Sequence, residues 1–214
     1  MLLDSNIFMY PLVAICSYLI GAIPYGLIIG FVSRGIDIRK HGSGSTGATN
    51  VLRTLGLPLA IPVIILDVSK PILAIFISSL LTEGESLTKA IAATFVIVGH
   101  IWPVYAQFRG GKGILVGVVG LIFLSPISGL TALISALLTI ALFKIVSLGS
   151  IVGTVLGIIS ILFIYTIGQE QNLAYVMYAI IGSTIIIFRH IGNIKRLINR
   201  TEPKIGSRAN KRKT

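Results

Sequence analysis

Long apolar runs separated by short polar segments dominate this sequence. The runs lie near positions 7–31, 57–81, 90–108, 113–125, 128–143, 150–167 and 173–189. A helix needs about 20 apolar residues to cross a bilayer, and fewer only where the protein itself covers its ends. The pattern therefore predicts seven membrane-spanning helices, of which the fourth is too short to cross unaided. An alternative treats 113–143 as one long, broken span, which gives six spans and places both termini on the same side.

Composition excludes an ordinary water-soluble domain. Of the 214 residues, 54% are hydrophobic and 12% are charged, and the mean hydropathy is +0.94. A soluble fold this apolar could not cover its surface with polar groups. The chain is therefore predicted to be an all-α integral membrane protein. Its single cysteine, Cys16, excludes a disulfide framework, and the first run, which has no basic leader, is expected to be a retained helix and not a signal peptide.

Basic residues are distributed very unevenly between the two predicted faces. In the seven-span arrangement one face receives segments 31–56, 109–112, 144–149 and the chain from 190 onward, whereas the other has only Lys89 among its basic residues. The basic face, with Arg189 at its boundary, carries Arg34, Arg39, Lys40, Arg53, Arg109, Lys112, Lys144, Lys195, Arg196, Arg200, Lys204, Arg208, Lys211, Arg212 and Lys213. Positive residues favour the cytoplasmic side of a membrane. The N-terminus is therefore predicted outside and the C-terminus in the cytoplasm, which favours an odd number of spans.

Two ionisable residues interrupt the second apolar run. Asp67 and Lys70 are three residues apart, so they share one helix face and can neutralise each other. Ionisable groups inside a span cost several kcal/mol and are functional candidates for that reason. The sequence leaves two interpretations open: an ion pair that holds helices together, or a role near a functional site.

A polar segment between the first two spans is the strongest candidate for chemistry. We call residues 41–50, His-Gly-Ser-Gly-Ser-Thr-Gly-Ala-Thr-Asn, the serine loop. Its glycines free the backbone to turn N–H groups toward one point, its hydroxyls add donors, and Arg53 follows Asn50 by one helical turn. This combination predicts a cradle for an anion. The simpler interpretation is a flexible linker, although linkers do not usually end in Thr-Asn-x-x-Arg.

A second glycine-rich segment lies on the same predicted face. The glycine turn, residues 110–113, reads Gly-Gly-Lys-Gly and exposes backbone N–H groups beside the point charge of Lys112. It is not a Walker A motif, because the first glycine and the Ser or Thr after the lysine are missing. A basic glycine turn is also an ordinary connector. Its placement beside the serine loop favours a second anion site.

Further polar residues cluster where later spans meet this face. His190 and Asn193 are three residues apart and point the same way from a helical turn, while anchoring at the membrane surface is the preferred role of Lys195 and Arg196. His100 lies near the same face. Ser147 and Ser150 begin the sixth span there, where their hydroxyls either donate to a phosphate or cap the helix.

These motifs, taken in order, resemble the bacterial acyl-phosphate:glycerol-3-phosphate acyltransferases, the PlsY family. The resemblance rests on Gly-Ser-Gly-Ser-x-Gly-Ala-Thr-Asn-x-x-Arg at 42–53, Leu-Asp-x-x-Lys at 66–70, Gly-His-x-x-Pro-x-x-x-x-Phe-x-Gly-Gly-Lys-Gly at 99–113, Ser-Leu-x-Ser at 147–150 and Arg-His-x-x-Asn-Ile-x-Arg-Leu at 189–197. It covers essentially the whole chain. Three positions depart from the usual pattern: Ser45 replaces Asn, Pro71 replaces Gly, and Ile114-Leu-Val replaces a Val-Ala-Thr run.

The resemblance implies a seven-span enzyme that transfers a fatty acyl group from acyl phosphate to the 1-hydroxyl of sn-glycerol 3-phosphate. The products are lysophosphatidic acid and inorganic phosphate, in the first step of phospholipid synthesis. It assigns catalytic roles to Ser43, Arg53, Lys112, His190 and Asn193. Substrate binding is assigned to Ser43, Ser45, Asn50, Arg53, Gly110, Gly111, Lys112, Gly113, Ser147, Ser150, His190 and Asn193, with the choice between Ser147 and Ser150 left open. Residues 1–200 would form one polytopic acyltransferase domain and 201–214 a basic cytoplasmic tail.

The mechanism implied by the resemblance needs little from the protein. The His-x4-Asp signature of other glycerophosphate acyltransferases is absent, and an acyl phosphate is already activated. Direct attack is therefore favoured, with the enzyme supplying position and charge; His190 as general base is the rival role. Neither a metal nor another cofactor is expected, because the predicted cytoplasmic acids number only Asp37 and Glu202.

The expected partners are acyl phosphate, glycerol 3-phosphate and membrane lipids. The net charge of +11 follows from basic residues between apolar spans, which suits an anionic membrane or phosphorylated substrates, so no nucleic-acid partner is expected. The protein is expected to be a monomer in the bacterial inner (cytoplasmic) membrane. The competing class is a membrane transporter for phosphorylated metabolites, which the scarcity of polar residues within the spans disfavours. A purely structural membrane subunit would leave the glycine-rich loops without a purpose.

Overall fold

The computed structural model describes residues 8–170 and 172–205 and consists there of α-helices, short 3₁₀ turns and loops. The predicted tail residues Arg208, Lys211, Arg212 and Lys213 lie outside the described residues. The α-helices of the described part are α1 Met9–Ala22, α2 Tyr25–Arg34, α3 Ala48–Leu55, α4 Leu57–Leu81, α5 Ser86–Ile101, α6 Ile114–Leu124, α7 Pro126–Phe143, α8 Val146–Thr166, α9 Leu173–Arg189 and α10 Ile191–Ile198. Two 3₁₀ turns cover Ile38–Lys40 and Val104–Ala106.

Five helical segments of the described chain are long and apolar enough to cross a membrane. They are Met9–Arg34, Leu57–Leu81, Ser86–Ala106, Pro126–Phe143 and Val146–Thr166. A sixth is added if α9 and α10, which are bent by 57° at their junction, count as one span. The 11 residues of α6 reach only about 16 Å at 1.5 Å per residue, too short to cross alone. The prediction of an all-helical membrane protein is confirmed.

Three predicted spans differ from the helices observed, and the sixth, predicted at 150–167, begins four residues earlier, at Val146. The first predicted span, 7–31, is divided into α1 and α2, because Pro24 has no N–H to donate to the helical ladder. The third, 90–108, begins earlier and stops at Ile101, where the chain enters a loop that runs to Gly113. These differences lie next to the polar segments of the chain, where regular helix begins or ends.

The segment 113–143 folds back on itself at Ser125–Pro126. A Cβ on Gly129 would overlap the backbone of Ile122, a contact that seven residues of continuous helix, about 10 Å long, would forbid. The chain therefore contains a tight helical hairpin of α6 and α7, as the predicted turn required. This contact excludes one continuous helix over 113–143, while the number of spans stays a prediction.

Small residues let the central helices approach closely. α5 contacts α1, α4, α6 and α9, and a Cβ on Gly99 would overlap the carbonyl of Tyr18 on α1. On α8, Gly149 and Gly153 lie against Ala136 of α7. Close backbone approach of this kind is typical of helix packing in membranes, where the lipid gives no hydrophobic drive for association. The tight packing of α5 fixes its end at Ile101 beside the glycine turn.

The predicted basic loops meet at one end of the bundle. Arg39 donates from Nη1 to the carbonyl of Ala106 (2.9 Å), and the N–H of Ile205 donates to the carbonyl of Lys144 (2.7 Å). These contacts join segments that are distant in sequence. The opposite end includes the start of α5, where Tyr10 donates to Glu85 (2.9 Å).

Candidate active site

The glycine turn packs directly against the end of α5. The N–H of Gly111 donates to the carbonyl of His100 (3.0 Å), and a Cβ on Gly110 or Gly111 would overlap atoms of His100. Gly113, with a φ of +83°, ends the turn in the left-handed conformation that side chains disfavour. Only glycines allow this approach, and the residue held between them is Lys112.

Lys112 leads from the glycine turn to the other side of the site. Its Nζ donates to Oδ1 of Asn193 on α10 (2.7 Å). Asn193 is 4% exposed, and its Nδ2 donates in turn to Oε1 of Glu202 (2.6 Å). A continuous chain of hydrogen bonds therefore joins the glycine turn, α10 and the C-terminal segment. The sequence analysis named the first two of these residues.

Glu202 is the acceptor at the centre of this network, and the sequence analysis did not assign it to the site. Besides Asn193, it accepts from Oγ of Ser147 (2.7 Å) and from Nε of Arg196 (2.7 Å). Burial raises the pKa of Glu202, but the hydrogen bonds from its three donors outweigh that effect and lower the pKa. The sequence signal that could have assigned Glu202 to the site is that it is an isolated acid within a strongly basic segment.

Arg196 and Ser147 therefore have roles that their sequence positions did not reveal. Membrane anchoring was the preferred interpretation of Arg196, whereas the structure shows a salt bridge from its Nε to Glu202. Ser147 faces the site through the same carboxylate, while Oγ of Ser150 donates along α8 to the carbonyl of Val146 (3.0 Å). Of the two serines, Ser147 is the one in the described network.

The serine loop is shaped around one buried amide. Asn50 is 1% exposed, and its Nδ2 donates to the carbonyls of Ile38 (3.1 Å), His41 (3.1 Å) and Ser45 (2.7 Å). Its Oδ1 accepts from the N–H of Ser43 (2.8 Å). Asn50 therefore holds the loop closed and leaves the Ser43 side chain exposed at its surface. Direct substrate contacts of Asn50, Ser43 and Ser45 stay predictions.

Arg53 connects the serine loop to the rest of the site. It follows Asn50 on α3 by one turn, as predicted, and its Nη2 reaches the carbonyl of Pro203 (3.5 Å). Pro203 is the neighbour of Glu202, so the C-terminal segment contacts Arg53 directly and is joined to Lys112 through Asn193.

His190 lies at the junction of α9 and α10 and is 1% exposed. Its Nδ1 donates to the carbonyl of Ile186 (2.8 Å), an arrangement that leaves Nε2 as an acceptor. Burial, assisted by the nearby charge of Lys112, lowers the pKa of His190 to about 4. A neutral imidazole with so low a pKa is a weak base at pH 7.

Positive charge exceeds negative charge around Lys112. Burial lowers the pKa of Lys112 to about 8, and although Glu202 raises it, the cations Arg196, Arg53 and Arg189 lower it further. The Nε of Arg189 is also buried without a hydrogen-bond partner in the described part of the chain. Four cations thus act around one carboxylate, an imbalance that an incoming anion would relieve.

Within residues 8–170 and 172–205, no group of three or more His, Cys, Asp and Glu side chains is placed to hold a metal ion. Apart from the acceptors Glu202 and Asn193 Oδ1, the site presents cations, the chemistry that suits phosphate and carboxylate.

An apolar helical bundle with a cationic, donor-rich site at one end defines an integral membrane protein whose site is suited to anions. The chain belongs to the glycerol-3-phosphate acyltransferase family: the family model of that description matches residues 11–200. It is 40% identical over 203 residues to a glycerol-3-phosphate acyltransferase of Synechococcus elongatus, covering 92% of this chain and 94% of the relative. It is 42% identical over 197 residues to one of Thermoanaerobacter sp., covering 92% and 96%.

Two crystal structures share the fold. One is PlsY (YgiH), an integral membrane glycerol 3-phosphate acyltransferase, in its glycerol 3-phosphate form, with a TM-score of 0.83 and 31% identity over 93% of this chain and 96% of that one. The lysophosphatidic acid form gives a TM-score of 0.81 and 30% identity over 94% and 97%. The resemblance drawn from the sequence motifs is confirmed, and the transporter alternative is not favoured.

Proposed function

We propose that this protein transfers a fatty acyl group from acyl phosphate to the 1-hydroxyl of glycerol 3-phosphate. The observation that carries the proposal is the cationic excess around Lys112, where Arg53, Arg189 and Arg196 contribute. Both proposed substrates carry phosphate, and the related crystal structures hold glycerol 3-phosphate and lysophosphatidic acid. The product, lysophosphatidic acid, keeps its phosphate in the site and its acyl chain beside the apolar helices.

The proposed chemistry is direct attack. The 1-hydroxyl oxygen of glycerol 3-phosphate bonds to the acyl carbonyl carbon, the bond from that carbon to the phosphate oxygen breaks, and the hydroxyl proton passes to the departing phosphate. Lys112 and Arg53 position and neutralise the phosphates, which is the main catalytic contribution. The predicted donation from the N–H groups of Gly110 and Gly111 is not part of the proposal, because they already donate to the carbonyls of Ile101 (3.2 Å) and His100 (3.0 Å).

Because Nδ1 of His190 donates to the Ile186 carbonyl, its Nε2 is proposed to accept a hydrogen bond from a substrate hydroxyl. The lowered pKa of His190 also disfavours a role as general base. Asn193, which accepts the hydrogen bond from Nζ of Lys112, is proposed to orient that ammonium group toward substrate.

The test is an assay of the purified protein with both substrates. Palmitoyl phosphate and glycerol 3-phosphate should yield lysophosphatidic acid and inorganic phosphate in equal amounts. Palmitoyl-CoA and palmitoyl carried on acyl carrier protein should give no comparable turnover, because their thioesters lack the small phosphate that the glycine turn suits. Comparable rates with palmitoyl-CoA would refute the choice of donor, and no product with any donor would refute the function.

We further propose seven spans, with the site on the cytoplasmic side of the bacterial inner membrane. Two features support this. The basic loops meet at one end of the bundle, and the chain reverses direction between α6 and α7, so the short α6 counts as a span of its own. The protein is proposed to act as a monomer, taking its acyl donor from the membrane and using no metal.

The orientation can be tested in intact cells. Single cysteines at Ser86 and Ser207, the latter outside the described residues, would be introduced with Cys16→Ser and exposed to an impermeant thiol reagent. Position 86 should be labelled and position 207 should be labelled only after the cells are opened. Labelling of 207 without 86 in intact cells would reverse the topology.

A further inference from the structure

A second polar cluster lies inside the helical bundle, apart from Lys112. Asp67 and Lys70 on α4 are each 2% exposed, with 2.7 Å between Nζ and Oδ1. His100, in the last turn of α5, places its Nδ1 3.6 Å from Oδ1 of Asp67 and 3.5 Å from Nζ of Lys70. We call these three residues the inner cluster. It balances one lysine with one carboxylate and has no described role in binding substrate.

One side of the inner cluster holds the break between α1 and α2. Nζ of Lys70 donates to the carbonyl of Ile23 (2.7 Å) and lies 4.8 Å above the centre of the Tyr25 ring. The Ile23 carbonyl lies where Pro24 interrupts the helical ladder. Lys70 therefore ties α4 to a point that helical hydrogen bonding does not hold.

The other side of the cluster reaches the glycine turn. The His100 ring fills the space that a Cβ of Gly111 would occupy, and the atom nearest to that position is Nε2. The His100 carbonyl accepts from the N–H of Gly111 (3.0 Å). The ring is thus held between the ion pair, at its Nδ1 edge, and the backbone next to Lys112, at its Nε2 edge.

A purely structural tie would not need buried charges. Removing an ion pair and its hydrogen bonds from water costs about as much as the attraction returns, and apolar residues of similar volume often stabilise as well or better. What the polar groups supply is position, because Nζ of Lys70 donates to the Ile23 carbonyl (2.7 Å) and is attracted to Oδ1 of Asp67 at 2.7 Å, beside the His100 ring. The His100 ring in turn fixes the position of the glycine turn, whose backbone carries Lys112.

We propose that Asp67 and Lys70 act through His100 as positioning residues that hold the glycine turn, and with it Lys112, in the geometry that receives substrate phosphate. This inference rests on the proposed function. The mechanism predicts that displacing the turn costs about 10- to 100-fold in kcat/KM, as misplacement by about 1 Å commonly does. We expect the loss mainly in KM for the phosphate substrates, because Lys112 holds phosphate, together with a smaller fall in kcat, because Lys112 also neutralises the departing phosphate.

The first experiment is a double-mutant cycle between His100 and Lys112. His100→Phe keeps a ring against Gly111 but loses the polar contact to Asp67 and Lys70. If His100 acts through Lys112, His100→Phe should raise KM in the wild-type background and add less than about twofold to the loss already caused by Lys112→Ala. Equal effects of His100→Phe in both backgrounds, or none in the wild type, would overturn the proposal.

Asp67→Asn combined with Lys70→Met removes both charges and leaves no uncompensated ion. The double variant should melt within a few degrees of the wild type and show the same KM increase as His100→Phe. A matched control is Thr88→Val at the opposite end of the bundle, where Thr88 is fully buried and hydrogen-bonded to Thr82 (2.7 Å). It should lower the melting temperature and leave both KM values unchanged. A KM change in Thr88→Val equal to that of His100→Phe would show a general effect of instability.

A second readout does not depend on activity. Lys112 is half-buried and bonded to Asn193, so its acylation by a water-soluble amine reagent, quantified by mass spectrometry, should be slow in the wild type. His100→Phe should accelerate it several-fold, with little change at the exposed Lys195. Unchanged labelling would overturn the inference. If the wild type shows no acyltransferase activity, the proposed function fails, whereas accelerated labelling would still support the positioning role.

Discussion

The site and the inner cluster each contain a lysine and a carboxylate, but they differ in how far positive charge is balanced by negative charge. Around Lys112, three arginines act together with one glutamate, and an asparagine separates the lysine from that glutamate. In the inner cluster Lys70 contacts Asp67 at 2.7 Å, and both are almost fully buried. The first arrangement leaves positive charge for a ligand, and the second leaves none.

The difference follows from where each cluster lies. The bundle interior cannot hold an unbalanced charge without a large desolvation cost. At the end of the bundle Arg196, whose side chain is 46% exposed, retains contact with water, and an excess of cations is tolerable there. Binding and positioning are therefore separated by depth, and His100 is the link between the two levels.

The largest expected effect is on stability, at the inner cluster. Asp67→Ala leaves Lys70 buried without its counter-charge, and breaking a buried pair in this way costs about 3–5 kcal/mol. The free energy of unfolding in detergent should fall by that amount. The corresponding change at the other cluster, Glu202→Gln, should cost clearly less, because its partner Arg196 stays hydrated. Equal losses would mean that depth does not distinguish the clusters.

The next largest effect is on activity, at Lys112. Lys112→Ala removes a partner of substrate phosphate in a partly desolvated site, which costs about 2–5 kcal/mol, or about 30- to several-thousand-fold in kcat/KM. Arg53→Ala should act in the same direction. Neither substitution should lower the melting temperature as Asp67→Ala does.

Lys112→Arg provides a sharper version of the same comparison. A planar guanidinium does not replace a compact ammonium between glycines, so activity should stay low although the charge is kept. Activity close to wild type would show that charge alone is required. The assay is the kcat/KM measurement used for Lys112→Ala.

A smaller effect concerns pH. The pKa of Lys112 is lowered to about 8, so its amine is charged at pH 7 and loses its charge as the pH rises through about 8. kcat/KM should fall over that interval. Because Glu202 raises the pKa of Lys112, Glu202→Gln should shift the fall to lower pH. If kcat/KM stays constant up to pH 9.5, the charge of Lys112 is not needed to bind phosphate.

The smallest effect is expected at an exposed cation of the same helix. Lys195→Ala, one position before Arg196 on α10, removes an exposed charge worth well under 1 kcal/mol. kcat/KM should change by less than about twofold. If Lys195→Ala and Lys112→Ala behave alike in folded protein, general basicity and not the site geometry determines activity.

Local patterns in the sequence predicted much of the fold and part of the site. Apolar run length located the helices, since a chain in lipid must satisfy its backbone internally. The glycine turn with its lysine, and the serine loop followed by Arg53, indicated anion binding, because these hydrogen-bond donors and cations lie close together in the sequence. The motifs assign Lys112 and Asn193 to one site although they are 81 positions apart, and in the structure Nζ of Lys112 donates to Oδ1 of Asn193 (2.7 Å).

Glu202 and the inner cluster depended on contacts that no local pattern carries. Glu202 looked like one acid in a basic segment, and its importance comes from Ser147, 55 positions away. His100 gained a role only because α5 ends against the glycine turn.

The sequence by itself determined that this protein is a helical membrane protein with phosphate-binding chemistry, because hydropathy and donor-rich motifs are local properties of the chain. The tertiary structure alone decided which charges meet and which stay apart. Those pairings depend on helix packing, set by small residues such as Gly99 and Gly153 whose partners lie on other helices. The same packing surrounds Lys112 with an excess of positive charge at one end of the bundle and pairs Lys70 with Asp67 in its interior.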